Sequence, residues 1–209
     1  TQTALDYPLI TGTSIALTFR KCSLFNGDIN NWDVSAVTDF SSSINECLVF
    51  DKPLNLWDMS SATNIEFMLF GCKLFNQDIN SWNVSNVTNA RAFIGTPTTM
   101  LFNKPLSNWD TSKITNFQFF FFNNTVFNQN ISNWNTSSAV IMSEMFKKSL
   151  AFNQNISNWD INQVTNFANF MIECTSFSTV NYDLLLINWN SQAPQTGKSI
   201  HFGNARYTL

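Results

Sequence analysis

The sequence predicts an α/β solenoid, a right-handed leucine-rich-repeat-like stack with one short parallel strand and one short helical turn in each coil of about 25 residues. Three observations predict it. Trp recurs at intervals of 25, 25, 27, 25, 25 and 30 residues, Phe stands seven residues before the first six Trp, and Thr stands six residues after five of them. A unit this short cannot bury its own apolar face, so neighbouring units must share a core. The expected structural ladder is Trp32, Trp57, Trp82, Trp109, Trp134 and Trp159.

The strand and the helical turn follow from the residues around each Trp. The stretch from Phe25 to Trp32 and its copies has no helical period, and Pro53 and Pro105 in two copies exclude a helix interior. We therefore expect a short parallel strand around residues 29–32. Farther along each unit, Thr and Asp or Asn precede apolar residues four apart, such as Phe40 and Ile44. This pattern is typical of a capped helical or 3₁₀ turn.

The repeat boundaries predict a single domain over residues 1–209. Residues 1–22 form an N-terminal cap and half repeat, residues 23–174 six repeats, and residues 175–209 a degenerate terminal module. Two extra residues near Gly95 to Thr99 should bulge as a loop. Atypical end units are what a stack of repeats needs to close its exposed core.

Composition excludes several classes of protein. Charged residues make up 12% of the chain, the net charge is −3, and 30 residues are Asn. Basic residues are scattered, so we expect no nucleic-acid partner. No apolar run reaches the length of a membrane span, so none is expected. With 21 Phe and 7 Trp, the chain is far too apolar to remain unfolded.

Few residues are candidates for catalysis, disulfide formation or metal binding. Cys22, Cys47, Cys72 and Cys174 share one repeat position and fit either buried thiols or disulfides between coils, whereas a metal site is disfavoured because no C-x-x-C or neighbouring His accompanies them. The Asp or Asn after each Trp fits a turn bonding its own backbone, with a calcium ladder as the alternative. His201 is the only His and lies in no catalytic motif. We therefore expect no enzyme, no metal and no cofactor.

The segments FNQDINSWNVSNVTN and FNQNISNWDINQVTNF resemble the 25-residue repeats of surface proteins related to the BspA-type leucine-rich repeats. The tail from Asn181 resembles the terminal module that often follows them. The resemblance implies a secreted, cell-surface or virus-borne protein that makes adhesive or other protein contacts. It implies no catalytic residues.

Two functions follow as hypotheses. The first is a non-catalytic surface module that binds a protein or glycan on a cell or particle surface, in an extracellular, cell-surface or virion-surface location. The second is a structural or decoration subunit of an extracellular or virus-particle assembly, with self-assembly or neighbouring subunits as partners. The run Phe119 to Phe122 is either a buried turn or a contact patch. The expected binding residues lie two positions before each Trp: Asn30, Asn55, Asn80, Ser107, Ser132 and Ser157.

Overall fold

A computed structural model describes residues 8–192. Six isolated parallel bridges join backbone positions that lie 25 residues apart, or 27 at the one longer repeat, so that successive repeats stack in register as coils. The parts of the expected cap and terminal module at residues 1–7 and 193–209, together with His201, lie outside the described residues. The bridged residues are Ser14, Asp39, Asn64, Asn89, Asn116, Ile141 and Asn166.

One α-helix, α1, spans Thr179–Ser191 and lies against the last complete coil. Ser178 caps its N-terminus by accepting a hydrogen bond from the N–H of Asn181. Two side-chain amides tie the helix to the stack: Asn181 Nδ2 donates to the carbonyl of Asn153 at 2.8 Å, and Gln192 Nε2 donates to that of Trp159 at 2.9 Å. Because both acceptors belong to the preceding coil, α1 covers the end of the stack.

The predicted α/β solenoid is wrong. Within residues 8–192 the only helix is α1, and the bridges are isolated rather than grouped into strands. The strand expected around residues 29–32 is a turn in which the N–H of Trp32 donates to the carbonyl of Ile29 at 3.1 Å. Side chains rather than a backbone ladder join the coils there, as where Asn30 Nδ2 donates to Asn55 Oδ1 at 3.2 Å. A strand pattern needs repeated backbone pairing, which this turn does not offer.

The expected helical turn is also absent, and a different element replaces it. In residues 40–47 the N–H groups of Phe40, Ser42, Ile44 and Glu46 donate to carbonyls of the next coil. The N–H groups of Ser43, Asn45 and Cys47 donate three residues back, and that of Ser41 donates to the side chain of Asp39. Ser42 and Glu46 have φ values of 54° and 57°, in the left-handed region that a right-handed helix excludes. We call this element the turn segment. Its copies are residues 15–22, 40–47, 65–72, 90–97, 117–124, 142–149 and 167–174.

Aromatic columns fill the interior of the stack. Seven Phe rings from Phe25 to Phe177 lie in one column, with centroids of neighbouring rings 5.7–6.4 Å apart and nearly parallel planes. Trp82, Trp109 and Trp134 stack similarly, at 6.3 and 6.4 Å. The buried apolar residues form one cluster that runs through all coils to α1. Burial of these rings is the main stabilising contribution of each coil interface.

Candidate functional site

The six residues expected to bind a partner form a polar column along one side of the stack. Asn55 is exposed, and Asn30, Asn80, Ser107 and Ser132 are half-buried. The sixth member is covered by the terminal helix: Ser157 is 2% exposed and its hydroxyl accepts a hydrogen bond from Asn188 Nδ2 at 2.9 Å.

Much of the hydrogen-bonding capacity of this polar column is already used between coils. Asn30 Oδ1 accepts from the N–H of Leu56 at 3.1 Å, and Asn80 Oδ1 accepts from the N–H of Asn108 at 2.9 Å. Asn30 Nδ2 also donates to Asn55. These side-chain oxygens therefore accept hydrogen bonds from backbone N–H groups that have no partner in a strand. The groups left to bind a partner are Nδ2 of Asn55, Nδ2 of Asn80 and the partly exposed hydroxyls of Ser107 and Ser132.

The acidic residues after the Trp column are turn-forming groups. Asp33 Oδ1 accepts from the hydroxyl of Ser35 at 2.7 Å and from its N–H at 3.1 Å. The bond from the Ser35 hydroxyl, followed by that from its N–H, lowers the pKa of Asp33, and Ser60 acts on Asp58 in the same way. In the described part of the chain, no three His, Cys, Asp or Glu side chains are grouped to hold a metal ion.

The cysteines are free thiols, and three of them are buried. The thiol of Cys72 donates to the carbonyl of Ile44 at 3.0 Å, and Cys47 and Cys174 bond to the neighbouring coil in the same way. Burial raises the pKa of Cys47 and Cys174 to about 12 and that of Cys72 well above its usual range. Because nucleophilic attack requires a thiolate, these buried thiols are unsuited to catalysis near neutral pH. Cys22 is exposed.

A second surface, on the turn segments, carries aromatic rings beside a cation. We call Phe67, Phe70, Arg91, Phe119 and Phe122 the aromatic–arginine cluster. All five are half-buried. The guanidinium of Arg91 lies 4.8 Å from the ring centre of Phe67 and 5.8 Å from that of Phe119, so it bridges rings from coils on either side. The edge-to-face pairs Phe67–Phe70 and Phe119–Phe122 have centroids 5.3 and 5.5 Å apart.

Polar groups hold Arg91 in place within this cluster. Its Nη1 donates to Glu66 Oε1 at 2.8 Å and its Nε donates to Gln118 Oε1 at 2.9 Å. Asn89 Nδ2 donates to the other carboxylate oxygen of Glu66 at 3.0 Å. At the far edge, Lys147 Nζ lies 5.7 Å from the ring centre of Phe122. The cluster is therefore a fixed apolar surface with cations at its centre and its edge.

Sequence reasoning found two of the five residues of this cluster. It identified the run Phe119 to Phe122, of which the structure buries Phe120 and Phe121 completely and leaves the outer two rings half-buried. It missed Phe67, Phe70 and Arg91. An alignment of the turn segments could have found them, because Phe67 and Phe119 occupy the same repeat position in coils on either side of Arg91.

Stacked repeats that share a continuous aromatic core define a repeat protein. The chain belongs to the family described as Mycoplasma protein of unknown function, DUF285, which matches residues 10–101 and 92–207. This is a BspA-like repeat family in general terms. No curated protein and no solved structure shows significant similarity to the chain. Within residues 8–192, no helix has the length and apolar character needed to cross a bilayer.

Proposed function

We propose that the chain is a non-catalytic binding module of the BspA-like surface-protein type, which adheres to a protein or glycan on a cell or particle surface. Its location under this proposal is extracellular, at a cell surface or at a virion surface. The observation that carries the proposal is the aromatic–arginine cluster, since the Asn side chains of the polar column already use their amide oxygens to bond the neighbouring coil.

The chemistry of the cluster fits a protein contact best. Aromatic and Arg side chains are enriched at the energetic centres of protein interfaces, where they supply large contact areas at low entropic cost. The bonds from Arg91 to Glu66 and Gln118 fix the guanidinium before any partner arrives, which reduces the ordering cost of binding. Glycans also stack on exposed aromatic faces, so a glycan is the second class of partner to be tested.

The polar column has a supporting role in this proposal. Asn55 is exposed, and neighbouring column members keep free amide or hydroxyl donors. Polar groups of this kind surround interface centres and contribute specificity more than affinity. The alternative function is a structural subunit of an extracellular or virus-particle assembly. Its support is that backbone groups at the two ends of the stack have no partner within residues 8–192.

The test compares the purified, unaltered chain with two variants. Labelled protein is applied to arrays of extracellular proteins and of glycans, and to intact cells with and without protease treatment. Phe67→Ala combined with Phe119→Ala should weaken binding by about tenfold or more, the effect expected for residues at an interface centre. Leu56→Ala is the matched control, because Leu56 is a 61% exposed apolar residue outside the cluster.

The outcomes separate the hypotheses. Loss of binding after protease treatment identifies a protein partner, and retention together with array binding identifies a glycan. Equal binding of the double variant and the Leu56→Ala control contradicts the cluster as the contact site. Absence of any saturable binding by the unaltered chain contradicts the binding module itself.

A further inference from the structure

Within residues 8–192, the first coil has a backbone edge whose carbonyls are unpaired. In interior turn segments, alternate carbonyls such as those of Asp39 and Ser41 each accept an N–H from the preceding coil. No residue within 8–192 donates to the equivalent carbonyls of the first coil. These are the carbonyls of Ser14, Ala16, Thr18 and Arg20. An edge of unpaired backbone groups is a template for pairing with another chain.

The core is also open at this end in the described part of the chain. Phe19, Phe25 and Trp32 are partly exposed. Their counterparts one coil farther on are buried, with Phe50 at 0% and Trp57 at 3% exposed. The difference arises because no described coil precedes the first one. Aromatic surface of this kind is stabilised when another apolar surface covers it.

The opposite end presents the complementary backbone groups. In the last turn segment, residues 167–174, the N–H groups equivalent to those that donate to the next coil in other segments have no carbonyl acceptor within residues 8–192. They belong to Phe167, Asn169, Met171 and Glu173. Four acceptors at alternate residues on one end therefore match four donors at alternate residues on the other.

The helix α1 adds an apolar surface at the donor end. Leu185 and Trp189 are buried against the stack, whereas Val180, Leu184 and Ile187 on other faces are 68%, 39% and 67% exposed. The spacing of i, i+4 and i+7 places these three on a common stripe. A helix with apolar residues on both its inner and its outer side is typically covered on both sides.

The two ends of the stack also carry opposite charges at equivalent repeat positions. Lys21 and Glu173 occupy the same position of the first and last turn segments, the seventh residue of each. An interior pair shows that this position brings opposite charges together between adjacent coils: Lys148 Nζ lies 3.8 Å from Glu173 Oε2. A coil with Lys21 placed after Glu173 would repeat that arrangement.

We propose that the chain associates head to tail with a second copy of itself. The carbonyl edge of the first coil in one copy accepts the N–H edge of the last turn segment in the next, and the aromatic end packs on the outer side of α1. Such an interface is heterologous, because its two surfaces differ, and it generates rings or filaments. This inference does not depend on the cluster binding a partner, since the cluster lies on the side of the stack.

The decisive experiment exchanges the paired charges in the chain of residues 1–209. Sedimentation velocity is recorded from about 1 µM to about 1 mM, a range that covers weak to moderate association. The unaltered chain should form species that grow in steps of 23.8 kDa. Lys21→Glu alone and Glu173→Lys alone should each raise the dissociation constant about fivefold, because like charges then meet at the junction. An equimolar mixture of the two variants should restore association, and growth beyond the dimer distinguishes a head-to-tail junction from a two-fold symmetric dimer that stops at two copies.

A matched pair of apolar substitutions tests the role of α1. Ile187→Lys should abolish the association, and Leu101→Lys should leave it unchanged, since both are exposed apolar residues but Leu101 lies in a middle coil of the stack. Trp fluorescence and the thermal melt of each variant check that the fold is intact. Association that is equally sensitive to both substitutions overturns the proposal.

Amide hydrogen exchange supplies an independent readout at the donor edge. The amides of Asn169, Met171 and Glu173 should exchange rapidly at low concentration and more slowly as the copies associate. A chain that stays monomeric throughout, with these amides protected at every concentration, overturns the proposal and identifies residues outside 8–192 as the cover of this edge. Association that the charge mixture fails to restore overturns it as well.

Discussion

The indole N–H of Trp82 donates to the main-chain carbonyl of Leu54 in the preceding coil, at a distance of 2.8 Å. Four other Trp make the same bond to the preceding coil, at 2.8–3.1 Å. Each of these indoles therefore fills the core and supplies a second donor to a carbonyl that already accepts an N–H within its own turn, as the carbonyl of Leu54 accepts the N–H of Trp57 at 3.2 Å. Phe could supply the first of these contributions but not the second.

Replacement of Trp82 separates these two contributions. Trp82→Ala should lower the free energy of unfolding by ~3–5 kcal/mol, because a large buried ring is lost. Trp82→Phe should cost less, about 1–3 kcal/mol, since an apolar ring remains while the carbonyl of Leu54 loses one of its two donors and keeps the N–H of Trp57. Urea unfolding followed by near-ultraviolet circular dichroism measures both.

Trp32 serves as the control because it lies in the first coil and is only partly buried. Trp32→Ala should cost less than Trp82→Ala. A loss under ~1 kcal/mol for Trp82→Ala would show that the assumed Trp register is wrong, because a buried aromatic truncation costs several times more.

The repeat period could be predicted from the sequence, but the local conformation could not. The 25-residue spacing of Trp57 and Trp82 indicates which residues occupy equivalent positions, and the bridges between coils keep that spacing. The helical turn was inferred from a local pattern of Thr, Asx and apolar residues. In the structure the neighbouring coil takes every second N–H group of that segment, as with Phe40 and Ser42, and a local pattern contains no information about this non-local bonding.

Backbone conformation is also the reason that the aromatic–arginine cluster could not be predicted as a unit. Phe67 and Phe119 adopt φ values of 54° and 59°, which no sequence signal predicts for a bulky residue. Arg91 stands where neighbouring coils carry Glu66 and Gln118, so no repeated residue type marks the site. The geometry of the cluster arises because unlike residues of adjacent coils lie side by side in the stack.

The thiols should divide into one reactive and three protected groups. A thiol reagent at pH 8 should label Cys22 in the native protein, and it should label Cys47, Cys72 and Cys174 only after denaturation. Mass spectrometry of the labelled peptides measures this. Rapid native labelling of Cys72, or absence of free thiols after denaturation, contradicts the buried-thiol interpretation.

Alkaline pH should destabilise the fold through the same thiols. Their pKa is raised from an ordinary 9.0 to about 12 in Cys47 and Cys174. The unfolded chain therefore loses thiol protons first, and stability that is fully present below pH 9 declines as pH rises toward 12. Cys72→Ser is the matched variant, because Ser149 fills the same repeat position and its hydroxyl donates to Phe121 at 2.8 Å. Melts of this variant should fall less steeply with pH.

Gly95 should not tolerate a side chain. A Cβ there would lie 2.9 Å from the carbonyl oxygen of Phe119 and 3.0 Å from that of Phe122, both in the next coil. Gly95→Ala should therefore cost about 1–3 kcal/mol, since the backbone of one coil must move. Gly12→Ala is the control: its Cβ would meet no atom within 4 Å, and its effect should stay within about 0.5 kcal/mol. Similar melting temperatures for the two variants would contradict this packing.

Divalent cations should leave stability unchanged. The carboxylates after the Trp column bond their own turns, as Asp58 does with the N–H of Ser60 at 2.9 Å, and Asn83 interrupts the column. A chelator, or excess calcium, should shift the melting temperature by no more than the scatter of repeated scans. A fall of ~10 °C on chelation would support the calcium ladder instead, because a ligand that binds only the folded state stabilises it by mass action.

The polar column should prove more important for the stack than for binding. Asn80→Ala removes the acceptor for the N–H of Asn108 and should cost about 0.5–1.5 kcal/mol, the usual net value of one such bond. Asn80→Asp retains an acceptor oxygen and should cost less, although its charge lies near Asp78, which accepts the N–H of residue 80 at 2.9 Å. Urea unfolding compares the two variants.

The same column then discriminates between the two candidate contact surfaces. A triple alanine variant at Asn55, Asn80 and Ser107 should reduce binding by no more than about threefold, as expected of residues around an interface centre. The reduction should be much smaller than that caused by the Phe67→Ala and Phe119→Ala pair. If the triple variant instead abolishes binding while its unfolding curve still shows a cooperative native state, the polar column is the contact surface, and the aromatic–arginine cluster stabilises the coils without contacting a partner.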